Sequence, residues 1–110
     1  LPTPDAMVNG IRGSEGALSA GDLSRLRTVD AEAKDFVFEV EYEVVSFQVA
    51  FQGSGGIWST MPSNSERFTT EQLQLFQRLK TGQRIMIERV RATGPDGVIR
   101  NLNGITITVR

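Results

Sequence analysis

The stretch from Phe36 to Gln52 constrains this chain more than any other. From Phe36 the even positions are apolar (Phe36, Phe38, Val40, Tyr42, Val44) while Glu39, Glu41 and Glu43 occupy odd ones. From Val45 the phase reverses: Val45, Phe47, Val49 and Phe51 form the apolar set, and Ser46, Gln48 and Gln52 point the other way. Each half is a period-2 amphipathic strand. Seventeen extended residues would span about 56 Å, whereas a domain of roughly this size has a radius of gyration of about 13 Å. One straight strand does not fit. A bulge or bend at Val44-Val45 resolves both the length and the phase, because one extra residue changes the buried face. A strand that bends and changes face predicts a two-sheet arrangement in which it passes from one sheet to the other.

The rest of the chain supports a β-rich reading. Ala6 to Val8 reads as a short strand, after an extended entry through Pro2 and Pro4. Ser19 and Asp22 have the spacing of a helix start, predicting a short helix to about Arg27. Gly53-Ser54-Gly55-Gly56 is a turn, Ile57 to Met61 a short strand, and Pro62 to Ser65 its end. Thr69 and Gln72 stand at capping-box spacing before Leu73, Leu75, Phe76 and Leu79, which recur at helical intervals, with Gly82 closing that helix. Arg84 to Thr93 and Val98 to Val109 form a final hairpin around Gly94-Pro95-Asp96-Gly97, with a bulge or edge signalled by Asn101, Asn103 and Gly104. These elements predict a mainly β, α+β fold: a β-sandwich-like, Ig-like domain with one well-formed helix and one short helix. Residues 1–5 read as a linker from a preceding domain, and 6–110 as one C-terminal interaction domain.

The chemistry on offer is sparse. The 110 residues contain no Cys and no His, which removes the thiol nucleophile, the thiolate metal site and the usual neutral-pH base. Glu39, Glu41 and Glu43 share a strand face, an arrangement a solvated, pairing-averse strand explains better than a carboxylate pair or a calcium loop. No motif places Lys34 or Lys80 beside a serine. The sequence therefore predicts no enzyme, no cofactor and no metal. A hydrolase working with carboxylates alone is disfavoured, because nothing in the sequence signals a pocket for them.

Charge points instead to a partner. The formal charge of −1 argues against a nucleic-acid coat. Residues 1–55 carry four basic against nine acidic side chains, and residues 56–110 eight against four. Ten of the twelve basic residues are Arg, suited to planar, multidentate contacts. Arg89 and Arg91 share a strand face and Arg100 lies on the antiparallel partner, so the three are expected to cluster. They meet either an acidic partner or the glutamates of the long strand. Trp58 reads either as an exposed anchor for a partner or sugar, or as a core aromatic, the commoner fate. The partner-contacting candidates are thus Trp58, Arg89, Arg91 and Arg100. A glycan- or peptidoglycan-binding β-sandwich using Trp58 and Tyr42 as stacking platforms is the alternative.

Five stretches together resemble a known family. Asp35-Phe36-Val37-Phe38-Glu39-Val40 with Val44-Val45-Ser46-Phe47-Gln48-Val49 is similar to the long-strand signature of the C-terminal domain of the GldM/PorM family. Arg67-Phe68-Thr69-Thr70-Glu71-Gln72, Thr81-Gly82-Gln83 and Gly94-Pro95-Asp96-Gly97-Val98-Ile99-Arg100 resemble its helix start, helix exit and last hairpin, and Leu1-Pro2-Thr3-Pro4 with Gly10 and Gly13 its opening. The resemblance implies a non-catalytic domain of a type IX secretion and gliding component. It implies a periplasmic location, in a homodimeric protein anchored in the inner membrane by a segment absent from this chain. The implied partners are outer-membrane-associated ring proteins of the GldK/GldN or PorK/PorN type and a membrane partner of the GldL/PorL type, with force or motion transmitted rather than chemistry performed. The absence of an initiator Met agrees with a piece of a longer protein, and the absence of Cys suits a periplasmic setting.

Overall fold

Two ten-residue strands, β4 (Glu43–Gln52) and β6 (Arg84–Thr93), run side by side and antiparallel through the centre of the computed structural model, which describes residues 2–14, 16–33 and 40–110. Around them the main sheet adds β5 (Trp58–Ser63) beside β4, β8 (Ile105–Val109) beside β6, and β2 (Gly16–Leu18) parallel to β8. β7 (Ile99–Asn101) pairs with the far end of β6. A second, two-stranded sheet joins β1 (Asp5–Met7) to β3 (Asp30–Glu32), and Arg12 braces it with a 2.7 Å ion pair to Asp5 and a 4.0 Å contact to Glu32. Among the described residues two α-helices complete the domain, α1 (Ala20–Ser24) and α2 (Thr70–Gln77), which pack on each other. The fold is mainly β, α+β and β-sandwich-like.

The phase reversal read from the sequence is present as a bulge. Val44 faces Ala92 and Ser46 faces Arg91, so Val45 is the extra residue on β4. The long strand nevertheless stays in one sheet. A second irregularity between Ser46 and Gln48 puts an extra residue on β6, because Arg91 and Glu88 are three apart while their partners are two apart. The bulges cancel, and the register beyond them is the register before them. Both strands shift the phase of their inward residues at the same level, so that one sheet face stays in the core: β4 from Val44 to Phe47 and Val49, β6 from Ala92 and Val90 to Ile87 and Ile85. A transfer between sheets is unnecessary once the neighbour carries a matching bulge. Of the predicted strand, residues 36–39 lie outside the described residues, and residues 40–42 are not strand.

The inward side chains of β2, β4, β6 and β8 form one core with Leu23 and Leu26 of the α1 region, Phe68, and Leu75 and Phe76 of the α2 region. Phe68 stacks edge-on against Phe47 and Phe76, with ring centroids 5.1 and 5.6 Å away. α2 begins as predicted: the Gln72 amide N–H donates to Thr69 Oγ1 at 3.1 Å, and the Thr69 N–H donates to Gln72 Oε1 at 2.9 Å. It ends at Gln77, short of Gly82, where the Arg78 N–H turns back to the Leu75 carbonyl at 2.9 Å. Gly82 (φ +93°) instead lies in the turn that leads into β6, its N–H donating to the Val109 carbonyl at 2.8 Å. α1 is likewise shorter than expected, because the Arg25 N–H closes it on the Asp22 carbonyl. Pro62 does not end β5, which runs on to Ser63. Proline is tolerated there because β5 is an edge strand. Between β7 and β8 the disturbed segment drops Leu102 into the core, tied by its N–H to the Val90 carbonyl at 2.8 Å. At the entry, Pro4 is buried and the Pro2 carbonyl accepts a 2.7 Å bond from the Tyr42 hydroxyl.

Candidate interaction surface

A sheet with one face in the core must present the other, and strand register assigns its residues. Opposite residues in a ladder share a face. Across β5, β4, β6 and β8 the outward rows are Trp58–Gln52, Thr60–Ala50–Met86–Thr106 and Pro62–Gln48–Glu88, with Ser46–Arg91–Asn101 past the bulges and Arg84–Thr108 on the other side. None of these residues belongs to the apolar cluster that the helices complete. Ala50, at 4 % exposure, lies on this face and outside the apolar core cluster.

Two shallow concavities open on this face. One, of about 740 Å³, lies at the β4–β5 turn and is lined by Gln52, Gly56, Trp58, Arg84, Met86 and Thr106, with the Gly82-Gln83 turn beside it. The other, of about 570 Å³, lies at the opposite end and is lined by Ser46, Gln48, Pro62, Asn64, Arg89, Arg91 and Asn101. Gln48 Nε2 donates to Glu88 Oε1 at 2.8 Å, holding that carboxylate on the face. Arg89 and Arg91 are exposed and, among the described residues, make no ion pair, so their guanidinium donors are available. Arg89 sits at the β6 bulge with φ +50°, a left-handed conformation that favours glycine and costs a side-chain-bearing residue about 1 kcal/mol or more. Its position beside Arg91 is therefore a product of the bulge.

The predicted arginine cluster is corrected to a pair. Arg100 lies opposite Ala92, not Arg91, and so belongs to the other face. Its guanidinium makes a bidentate pair with Asp96, at 2.6 and 3.0 Å, and lies 6.0 Å from the Tyr42 ring centroid. Its side chain is only 13 % exposed. Hydrogen bonds from Arg100, and then from the Val98 N–H, hold the Asp96 carboxyl well below its ordinary value, and the same pair raises Arg100. This ion pair closes the last hairpin, whose turn is bonded from the Gly97 N–H to the Gly94 carbonyl at 3.0 Å.

Trp58 is 52 % exposed, which overturns its reading as a core aromatic, and Ile57 beside it is 69 % exposed. The physical reason is position: Trp58 is the first residue of an edge strand and points to the uncovered face. Tyr42 packs against the core at the other end of β4, about 30 Å away along ten residues of strand, so the two aromatics make no joint platform. Of the three glutamates, Glu39 lies outside the described residues, while Glu41 and Glu43 are exposed and neither pairs with an arginine among the described residues. Arg84, Gln48 and Asn101 are members of the surface that sequence reasoning missed. The signal was there, in the alternation of Arg84, Met86 and Glu88 with Ile85 and Ile87.

Among the described residues the main sheet turns one face to the core and leaves the other, polar and arginine-bearing, without a covering layer, the arrangement of a β-rich domain with one open sheet face. Among the described residues no helix is long and apolar enough to cross a membrane. No curated protein matches the chain. The family model for the GldM C-terminal domain matches residues 1–110, and the chain belongs to that family, one of gliding-motility and type IX secretion components.

Proposed function

We propose that this chain is a non-catalytic interaction domain of a type IX secretion and gliding motor component. It works in the periplasm, docking the motor onto the outer-membrane-associated ring of the GldK/GldN or PorK/PorN type. Family membership supports the system, and the uncovered sheet face carrying Arg89, Arg91 and Trp58 supports the role. The protein acts as a homodimer anchored in the inner membrane by a segment outside this chain, where it meets a GldL/PorL-type partner. Its partners are proteins rather than nucleic acid. Arginines on a half-exposed face recognise carboxylates mainly through orientation and encounter rate, so binding weakens with salt.

A titration of the chain against the purified ring proteins at two salt concentrations tests this reading. The expected result is saturable binding that weakens at high salt and falls at least about tenfold in Arg89→Glu/Arg91→Glu. Arg100→Ala is expected to leave affinity unchanged, since that guanidinium is spent on Asp96. Ring binding that ignores the double charge reversal contradicts the proposed surface.

A further inference from the structure

β5 is an edge strand of the main sheet, with no strand paired on its outer side among the described residues. The β4–β5 hairpin closes with the Gly53 N–H donating to the Ile57 carbonyl at 2.8 Å. Bonded and non-bonded pairs alternate along an antiparallel ladder. Ser59, Met61 and Ser63 therefore exchange bonds with β4, while Trp58, Thr60 and Pro62 turn their backbone groups away from it. Pro62 fits this phase, having no N–H to offer. Trp58, Ser59 and Thr60 are all exposed, and β5 (Trp-Ser-Thr-Met-Pro-Ser) carries no charge to deter pairing.

We propose that the edge of β5 at Trp58–Thr60 accepts an extended acidic segment of another protein as an added strand. The inference rests on the docking role proposed above and specifies how the partner is held. Pro62 is what selects a different protein over a second copy. Two copies paired antiparallel about Thr60 would set each Trp58 carbonyl against the other's Pro62, losing a donor twice. They would also continue one arginine-bearing face into another. An unrelated segment loses one donor at most. Acidic character follows from charge: the concavity at the Trp58 end contains Arg84, and the one beyond Pro62 contains Arg89 and Arg91. Alternate side chains of an added strand lie over the same face as these guanidinium groups.

The probe is a seven-residue peptide alternating valine and glutamate, compared with its lysine counterpart, and Trp58, the only tryptophan, supplies the fluorescence readout. The glutamate peptide is expected to bind saturably and the lysine peptide not to. Thr60→Pro removes one outward donor without touching the β4 ladder and is expected to raise the Kd at least about tenfold. In the unmodified chain, peptide is expected to slow hydrogen exchange at the Trp58 and Thr60 amides, a readout independent of the variant's folding. Absent saturation, unchanged exchange, or equal affinity in a folded Thr60→Pro chain overturns the proposal. So does a concentration-dependent dimer that Thr60→Pro abolishes, which would give the edge to a second copy. Ring proteins that bind Thr60→Pro normally but not Arg89→Glu/Arg91→Glu overturn strand addition and leave the docking role standing. Ring binding indifferent to both removes the docking role as well.

Discussion

Gln72 is fully buried and makes three hydrogen bonds at once. Its backbone and side-chain oxygen complete the α2 capping box, and its Nε2 donates to the Met61 carbonyl at 2.9 Å, tying the helix start to β5. Gln72→Ala leaves the Thr69 N–H unpartnered beside a cavity and is expected to cost about 2–3 kcal/mol in denaturant unfolding. Thr69→Ala removes only the cap and should cost about 1 kcal/mol. At Asp96 the prediction is one of pH. The folded carboxyl loses its proton at lower pH than the unfolded one, so its pairing with Arg100 stabilises fully above the ordinary value of 3.8 and fades as pH falls below it. The stability difference between the natural chain and Asp96→Asn should accordingly be present at neutral pH and shrink in acid. An NMR titration should place the Asp96 midpoint below 3.8, and Arg100→Ala should return it toward that value.

At the scale of elements the paired bulges govern the fold. Deleting Val45 would remove the β4 bulge while β6 kept its own, throwing either Val44 or the Phe47–Val49 set onto the wrong face. Loss of cooperative unfolding in the deletion variant is the expected outcome. On β6, Arg89→Gly should hold or raise stability by about 0.5–1 kcal/mol, whereas Arg89→Val should lower it by about 1 kcal/mol, because a β-branched side chain tolerates the left-handed region worst. The reversal on β4 was legible because large apolar residues mark both of its phases. The matching reversal on β6 is written in Ile85 and Ile87 followed by Val90 and Ala92, a quieter pattern interrupted by two arginines and a glutamate. Without it, a change of sheet was the natural expectation. The α2 cap was legible because Thr69 and Gln72 act through local spacing. Its end was not, since Gly82 is held by Val109, far away in the chain.

At the scale of the molecule, the two long strands set a domain 44 Å long and 23 × 22 Å across, with both helices and the small sheet on one side. That asymmetry was not legible in the sequence. Period-2 alternation says one face is polar, but not whether a second layer covers it. For the same reason the sequence favours the core over the surface for Trp58, and makes Arg100 a neighbour of Arg91 where register places it opposite Ala92. In the proposed assembly the open face and the β5 edge meet the ring. Hydrogen exchange of the chain, free and saturated with purified ring proteins, tests it most directly. Slowed exchange at Trp58, Thr60, Asn64 and the Arg89–Arg91 bulge, with α1, α2 and β1–β3 unchanged, is the predicted result. Protection confined to the helices and the small sheet would contradict it.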